Sequence, residues 1–410
     1  MTYKVAISKR VRMIQHQRPS CFVAIGVGQG DAFFLDRGKS TILVDGGRSI
    51  EGLPNQFRRT TKHKSVDVLV CTHNDADHAN GVLGFLRDRL TTCREVWLPG
   101  SWTDRLEDLL FHPKDFTNEL VLNIEDMEVS PEILLSLEDL GDWYHESNHD
   151  ATRNREIDLN ALSKALERAT NMGTYEEVFW LYLPLWLPWP WMWHDLYSLQ
   201  GVFLENLERS LLLNEALAAA TRIRDIALAA YKKGVPIRWF EYDREKNSGG
   251  NRDCLVPLNA CEVRQISVRR RSALEYIALT TSNKQSLVFL SPADDREPAV
   301  LFTADSDLSF SQCIDWTAGM IVTAPHHGSE ANRDAYIRFA RETGNKFDVI
   351  WVRSDGRSRD RPGNSYLNVQ GCRFCTLCRG SNLGRQDVRL IVNQGRWMPN
   401  STRRCCCIQE

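Results

Sequence analysis

Short apolar runs separated by polar turns dominate the first hundred residues of the chain and return after residue 235. The pattern predicts a β-meander from Phe22 to Asp45, with a hairpin turn at residues 37–39. The other predicted strands are at residues 66–70, 95–99, 235–240, 277–279, 286–290, 299–305, 320–327 and 347–352. Three of these runs end in histidines or carboxylates, which is how open α/β folds usually place their sites.

Residues 101–234 have a different character, because their apolar positions recur with helical spacing. That spacing is found at residues 134–140, 157–169 and 204–231. The sequence therefore predicts an α/β (α+β) fold in which a helical insertion separates two halves of one sheet-containing domain. The predicted segments are 1–100, first half; 101–234, insertion; 235–370, second half; and 371–410, a Cys-rich basic C-terminal segment.

Within the insertion, residues 178–193 contain no charge, five tryptophans and three prolines. A membrane-spanning helix needs about 20 apolar residues, and proline breaks a helix interior, so we predict no transmembrane span. The segment is expected to pack between the insertion helices. The alternative is a surface for a protein partner or a membrane interface, where tryptophan is favoured.

Composition places the chain among ordinary globular proteins and excludes a global attraction to nucleic acid. The 410 residues are 42% hydrophobic and 25% charged, with a formal net charge of −2. Charge is nevertheless uneven: residues 104–150 hold fourteen Asp and Glu, whereas residues 333–410 hold fifteen Lys and Arg against seven acids. The first twenty residues lack the apolar core of a signal peptide. Twelve cysteines without such a signal predict reduced thiols and a cytoplasmic location.

The candidate chemistry is concentrated in residues 72–78, Thr-His-Asn-Asp-Ala-Asp-His, directly after a predicted buried strand. A polar loop with incidental histidines is the alternative, but charges beside a buried strand are costly without a cation. Histidine and carboxylate are ligands for divalent metals. The predicted metal ligands are His73, Asp75, Asp77, His78, Asp305, His326 and His327.

Four motifs in the chain carry a resemblance to a known family. They are residues 27–31 (VGQGD), 42–47 (ILVDGG), 301–305 (LFTAD) and 324–329 (APHHGS). Together with residues 72–78 they resemble the metallo-β-lactamase fold, and more narrowly the hydrolase domain of the ComEC-like DNA-uptake branch. The resemblance implies a four-layer αββα sandwich with two divalent ions, Zn or Mn, at one edge between the sheets.

The resemblance also implies roles for individual residues. His73 and Asp75 would hold the first ion, Asp77 and His78 the second; Asp305 would bridge, with His326 or His327 completing the second site. Asp45 and Asp31 would support these ligands. Asp75 stands where much of the superfamily has histidine, which makes the first position harder and Mn an alternative to Zn there. The candidates for a further histidine ligand of the superfamily are His112, His145, His149 and His194.

Arg361 precedes Pro362 where the relatives commonly have His-Pro. An arginine at that position could bind a phosphate group of the substrate. A lost function and an ordinary surface arginine are the alternatives.

The C-terminal segment offers a second candidate metal site. Cys372, Cys375 and Cys378 have spacing that suits a structural zinc or an iron–sulfur cluster if a fourth ligand comes from residues 405–407. The alternative is a set of reduced, unligated cysteines.

The predicted function is a metal-dependent hydrolase whose metal-bound hydroxide attacks phosphodiester or nucleotide substrates. The resemblance and the arginines at positions 353, 357, 359 and 361 favour this substrate class. Proteins similar to this one include bacterial antiviral defence effectors, so a defence role is a further expectation. One alternative is a nuclease on DNA or RNA. The other is a non-catalytic interaction protein with a vestigial metal site, which would bind a protein partner through the insertion and residues 178–193.

Overall fold

The computed structural model describes most of the chain outside its N-terminus and several internal segments. The described residues are 19–127, 136–147, 153–172, 207–263, 265–269, 271–344, 346, 348–354, 361–378 and 384–407. The tryptophan-rich segment 178–193, His149, His194, Arg357 and Arg359 lie outside them.

The described strands are numbered in chain order. They are β1 Cys21–Ala24, β2 Phe33–Asp36, β3 Thr41–Val44, β4 Ser65–Val70, β5 Thr92–Pro99, β6 Arg153–Asp158, β7 Ile237–Tyr242, β8 Val256–Pro257, β9 Ala260–Glu262, β10 Gln265–Arg269, β11 Phe289–Ser291, β12 Val300–Phe302, β13 Ile321–Thr323, β14 Ile350–Arg353, β15 Cys372–Cys375, β16 Val388–Asn393 and β17 Arg396–Pro399.

The α-helices of the described residues are numbered in the same way. They are α1 Gly52–Thr61, α2 Ala76–Arg87, α3 Leu106–Phe111, α4 Pro113–Glu125, α5 Leu137–Ser147, α6 Leu159–Asn171, α7 Leu207–Lys232, α8 Ala273–Thr281, α9 Arg333–Thr343 and α10 Asn364–Asn368.

Two large mixed sheets form the centre of the molecule. The nine-stranded sheet has the order β17-β16-β1-β2-β3-β4-β5-β7-β9, and the six-stranded sheet has the order β15-β14-β13-β12-β11-β8. The predicted meander is confirmed, since β1, β2 and β3 pair antiparallel. The C-terminal strands belong to both sheets: β15 pairs with β14, whereas β16 pairs with β1. Among the described residues, strands β6 and β10 pair only with each other.

The central strands are buried on both faces because apolar layers lie on each side. In β4, Val68 and Val70 face the core between the two sheets, whereas Leu69 faces the helices that cover the nine-stranded sheet. In β12, Val300 faces the same central core, and Leu301 faces the layer that includes α9. This two-sided burial explains the unbroken apolar runs in the sequence. The predicted α/β sandwich is confirmed.

The strand predicted at residues 277–279 is wrong, because these residues lie in α8. Ser272 caps the helix, its side chain accepting a hydrogen bond from the Glu275 backbone N–H at 3.2 Å. Eight of the nine residues of α8 are buried, and Glu275 is half-buried. A short run that is apolar on all sides has no period that separates strand from helix, so the sequence pattern could not decide.

Residues 101–127, 136–147, 159–172 and 207–232 are mainly helical, as the apolar spacing predicts. Helix α7, Leu207–Lys232, is the longest of the described helices and packs against α2. The boundaries of a separate insertion stay a prediction. In the described part of the chain, no helix combines the length and the apolar character needed to cross a membrane.

Candidate metal centre

The predicted ligands lie at the carboxyl ends of parallel strands from both sheets. Strands β3 and β4 are parallel and pair Val44 with Val70, so the residues after them leave the sheet at one edge. Strands β12 and β13 are parallel in the other sheet and pair Leu301 with Val322. Asp45 therefore lies beside residues 71–78, and Asp305 lies beside the histidine pair at 326–327.

The two strand edges meet across the space between the sheets. The Nε2 atom of His78 is 3.1 Å from Oδ1 of Asp305, and Nε2 of His73 is 3.9 Å from Oδ2 of Asp305. Nε2 of His327 is 3.5 Å from Oδ2 of Asp77. Ligand atoms of His73, His78 and Asp305 lie within 4.8 Å of one another, as do those of Asp77, His78 and His327. Residues separated by more than 200 positions in the chain thus form one site.

Helix α2 begins at Ala76, so Asp77 and His78 lie in its first turn rather than in a loop. The side chain of His78 is held by Asp45, whose Oδ2 is 2.9 Å from Nδ1 of the imidazole. Asp45 is fully buried and also accepts hydrogen bonds from the backbone N–H and the hydroxyl of Thr72, at 2.9 and 2.8 Å. This carboxylate fixes the ring so that its Nε2 faces Asp305.

His327 is held in the same manner from the other sheet. Its Nδ1 is 3.0 Å from Oδ1 of Asp31 and 2.9 Å from the carbonyl oxygen of Ser354, which follows β14. The Ser354 hydroxyl donates a hydrogen bond to Asp31 as well. Asp31 therefore lies behind the histidine, where the resemblance places a supporting carboxylate, and leaves Nε2 of His327 facing Asp77.

Several buried polar atoms in the site make no hydrogen bond within the described residues. They are Nε2 of His73, His78 and His327, Oδ1 of Asp305 and Oδ2 of Asp31. Buried polar atoms without partners are rare because each costs roughly 1–3 kcal/mol. Here the unpartnered imidazole nitrogens all face carboxylates, which is the donor set that a divalent cation completes. These residues fit the ions that the fold implies.

The electrostatics of the site favour positive charge within it. Burial opposes protonation of His78, but the carboxylates of Asp305 and Asp45 outweigh it and raise the pKa of His78 well above its usual value. Burial also opposes protonation of His327, but the carboxylates of Asp31 and Asp305 outweigh it and raise the pKa of His327 well above its usual value. Burial opposes ionisation of Asp77, yet its contact with His327 and the charge of His78 hold its pKa well below the usual range. The surrounding carboxylates thus stabilise cationic groups.

Asp75 and His326 lie at the margin of this centre. Oδ2 of Asp75 is 3.8 Å from Nε2 of His73, but Asp75 belongs to neither of the two ligand groups. Nε2 of His326 is 3.8 Å from Oδ2 of Asp305, and its Nδ1 is 3.0 Å from Oδ1 of Asn332. The assignment of individual ligands to each ion stays a prediction.

The arginines predicted at the mouth of the site differ in position. Arg361 is half-buried, and its guanidinium contacts Nε2 of His326. Arg353 is only 1% exposed and donates hydrogen bonds to Sγ of Cys375 at 3.5 Å and to the Leu377 carbonyl at 2.7 Å. Placing Arg353 on a substrate-binding surface is therefore wrong, because its charge is directed into the protein.

Neither described histidine of the helical region supplies the additional ligand. His112 is exposed, and Nδ1 of His145 is 3.1 Å from Nε2 of Gln285. Instead, Glu138 in the first turn of α5 reaches the site, with Oε1 3.8 Å from Nε2 of His326. Burial, with the charges of Asp75 and Asp305, raises the pKa of Glu138 to about 8. Sequence reasoning missed this residue, since one glutamate in a stretch of fourteen acids carries no local signal.

Helices α7 and α8 hold the metal-binding loop in place. Asn74 donates from Nδ2 to the Ala219 carbonyl in α7 and to the Thr280 hydroxyl in α8, each at 3.1 Å. Arg222 of α7 donates from Nε to the Asn74 carbonyl at 2.9 Å. The conformation of the loop between His73 and Asp75 therefore depends on residues far away in the chain.

The C-terminal cysteines form a set that differs from the predicted one. The sulfur atoms of Cys375, Cys378, Cys405 and Cys407 lie within 4.8 Å of one another. Cys372, which the spacing includes, is exposed and lies outside the group. Cys372 and Cys375 are three residues apart on β15, and alternation along a strand directs them to opposite faces.

The described fold brings histidines and carboxylates together at the ends of strands from both sheets. Residues 25–90 match the family model of the metallo-beta-lactamase superfamily. No curated protein matches the chain. The matched residues include Asp31, Asp45 and the histidine-rich loop, whereas Asp305, His326 and His327 lie beyond them. Members of this superfamily are generally metal-dependent hydrolases.

Proposed function

We propose that this protein is a metal-dependent phosphodiester hydrolase that acts on nucleotides. The observation that supports it is the meeting of His73, His78 and Asp305 with Asp77 and His327, whose facing nitrogens have no hydrogen-bond partner among the described residues. Two divalent ions, Zn or Mn, are the proposed cofactors. Such ions activate water near neutral pH and offset negative charge on a phosphoryl group.

The residues of the chain divide into three roles in this proposal. Asp77, His78, Asp305 and His327 hold the ions, with His73, Asp75 and His326 completing the coordination. Asp45 and Asp31 keep the Nε2 atoms of two histidines directed at them. Arg361, at the edge of the site beside His326, binds a phosphate oxygen of the substrate.

Small nucleotides are favoured over polymers as substrates. Glu138 adds a partly exposed carboxylate beside His326, and it comes from a stretch with many acids. The basic residues of the C-terminal part do not all lie on a surface that could bind a nucleic-acid polymer, since Arg338 and Arg353 are both buried. Polymeric nucleic acid binds mainly through exposed Lys and Arg, and a nuclease would need more of them at the site. DNA or RNA cleavage is therefore the second candidate.

The narrower resemblance to the ComEC-like branch rests on its four motifs, and it supports a phosphodiester substrate. The structural zinc at the C-terminal cysteines is a separate site that takes no part in this chemistry. A role in bacterial defence and a cytoplasmic location remain expectations on which the proposal does not depend.

The decisive experiment combines metal analysis with hydrolysis assays on the full-length protein. Wild type is compared with His73→Ala/Asp77→Ala and with a matched control, His112→Ala/Asp115→Ala, whose side chains are exposed outside the site. The substrates are a panel of nucleotides, cyclic nucleotides, single-stranded and duplex DNA, and RNA, with Zn, Mn or Mg added. We expect wild type and control to hold metal and hydrolyse nucleotides, and the site variant to lose both.

Two other outcomes would contradict the proposal. A wild type that holds no metal and is as inert as the site variant with every added ion refutes the hydrolase and favours the interaction protein. Cleavage of polymers in preference to small nucleotides replaces the proposal with the nuclease.

A further inference from the structure

We propose that Cys375, Cys378, Cys405 and Cys407 hold a structural zinc ion that joins the C-terminal segment to the edge of the second sheet. Their four sulfur atoms lie within 4.8 Å of one another. A tetrahedral zinc with bonds of about 2.3 Å requires sulfurs about 3.8 Å apart, so only small movements are needed. This site is independent of the proposed hydrolase chemistry.

Two separate pairs of nearby cysteines supply the four sulfurs. Cys375 ends β15 and Cys378 follows in a Cys-x2-Cys pair, whereas Cys405 and Cys407 are separated by one residue. Cys375 and Cys407 are buried, and Cys378 and Cys405 are half-buried. Cys406, between the two C-terminal members, is exposed. Cys405 and Cys407 thus contribute their sulfurs to the group, whereas the intervening Cys406 does not.

Hydrogen-bond donors surround the sulfurs, as expected for thiolates bound to a metal. The Cys406 backbone N–H donates to Sγ of Cys378, and the Cys407 backbone N–H donates to Sγ of Cys405, both at 3.4 Å. The guanidinium of Arg353 donates to Sγ of Cys375 at 3.5 Å. Four thiolates around one zinc leave a net negative charge, and the buried arginine offsets part of it.

A disulfide is the competing explanation for two cysteines in contact. The sulfurs of Cys375 and Cys405 are 2.9 Å apart, which exceeds the bonded length of about 2.05 Å. None of the twelve cysteines forms a disulfide in this structure. Two additional sulfurs in the same group have no role in a disulfide, whereas a tetrahedral cation uses all four.

The position of the cluster explains what such an ion would do. The Cys405 backbone N–H donates to the Arg373 carbonyl of β15 at 2.9 Å, so the chain beyond β17 returns to the second sheet. The ion would secure that return. Arg353, which contacts the cluster, directly precedes Ser354, whose carbonyl oxygen accepts from His327. The zinc site thus supports the end of β14, which positions His327 of the proposed catalytic site.

The test measures the zinc content of the full-length protein purified under reducing conditions. All variants carry His73→Ala/Asp77→Ala, a background that removes metal binding at the other site. Cys378→Ser is compared with Cys372→Ser, an exposed cysteine of the same segment outside the cluster. We expect one zinc per chain in the background and in Cys372→Ser, and loss of that zinc in Cys378→Ser. Equal zinc in both cysteine variants overturns the proposal.

A second measurement requires no variant of the cluster and so remains informative if Cys378→Ser does not fold. The background protein is alkylated with iodoacetamide, with and without prior removal of metal, and its peptides are analysed by mass spectrometry. We expect Cys372 and Cys406 to react in both states, and the four cluster cysteines only after metal removal. Disulfide-linked peptides, iron in place of zinc, or equal reactivity of all six cysteines overturns the proposal.

Discussion

At the level of single residues, each central histidine of the metal site uses one nitrogen for orientation and leaves the other for a ligand role. Nδ1 of His73 contacts the Thr72 hydroxyl at 3.0 Å, that of His78 contacts Asp45, and that of His327 contacts Asp31. Such supporting partners commonly change metal affinity by 10–100-fold when they are lost. Residues behind the ligands therefore offer sharper tests than the ligands.

Asp45→Asn is expected to weaken metal binding by roughly 10–100-fold. The amide nitrogen would occupy the Oδ2 position and donate to Nδ1 of His78, which places the ring proton on the nitrogen that faces the ion. Competition with a chelator of known affinity measures the change. The control is Asp67→Asn, since Asp67 accepts comparable hydrogen bonds from Thr41 at 2.8 and 2.9 Å but lies outside the site. Equal affinities in the two variants would contradict this role for Asp45.

Glu138→Gln is expected to reduce turnover by at least about 100-fold, the usual scale for loss of a proton donor or acceptor. The carboxyl group is partly exposed and lies beside His326, where it can deliver a proton to the leaving group. Turnover of nitrophenyl phosphodiesters, whose leaving group needs no proton, should fall much less in this variant.

Glu146→Gln is the matched control, since Glu146 is an exposed glutamate of the same helix. Metal content should not change in Glu138→Gln. A loss of bound metal would show instead that Glu138 is a ligand.

At the level of elements, the first turn of α2 depends on close contact between two glycines. The Gly46 N–H donates to the His78 carbonyl at 2.8 Å, and the Gly81 N–H donates to the Gly47 carbonyl at 2.9 Å. A Cβ atom on Gly81 would lie 1.9 Å from the Gly46 carbonyl oxygen. The glycines that follow Asp45 and His78 in the sequence therefore allow the helix to approach the end of β3.

Gly81→Ala is expected to lower the free energy of unfolding by about 3 kcal/mol or more, because rigid backbone must move to admit the methyl group. Metal affinity should fall with it, since α2 supplies Asp77 and His78. Urea denaturation and chelator competition measure the two effects. Gly384→Ala is the control, because its added Cβ has no neighbour within 4 Å. Equal stability of the two variants would show that α2 can shift without cost.

The elements also show where local sequence patterns were sufficient. The β-meander and the strands before the metal ligands follow from alternating or continuous apolar runs bounded by turns. The sequence pattern predicts a strand within α8, because a helix with eight of its nine residues buried has almost no polar face to reveal its period. Its helical state is decided by neighbours, such as Trp102, whose carbonyl oxygen accepts a hydrogen bond from the Tyr276 hydroxyl at 2.7 Å.

At the level of the whole molecule, stability should depend on pH through groups outside the metal site. Burial, with a smaller effect of Lys284, lowers the pKa of His145; Arg244 adds to this, whereas Asp307 and Glu146 oppose it. The folded state therefore binds a proton less readily than the unfolded chain. The contribution of neutral His145 is complete above its ordinary pKa of about 6.5 and is lost as pH falls through the lower folded value.

His145→Gln is accordingly expected to lose less stability than wild type between pH 7.5 and pH 5. The free energy of unfolding at both pH values, from urea denaturation with chelator present, gives the comparison. His112→Gln is the control, because that histidine is exposed. If His145→Gln and wild type lose equal stability on acidification, His145 does not contribute to the pH dependence.

The α/β class, the β-meander, the helical character of the middle region and the residue types at the strand ends could all be predicted from the sequence. These properties depend on periodicity and covalent neighbours, which can be recognised along the chain. Three other facts required the folded structure: Glu138 lies at the metal site, Arg353 is buried, and Cys405 and Cys407 accompany Cys375 and Cys378. Each of those facts depends on packing between elements far apart in sequence, and no local pattern specifies which side chains such packing brings together.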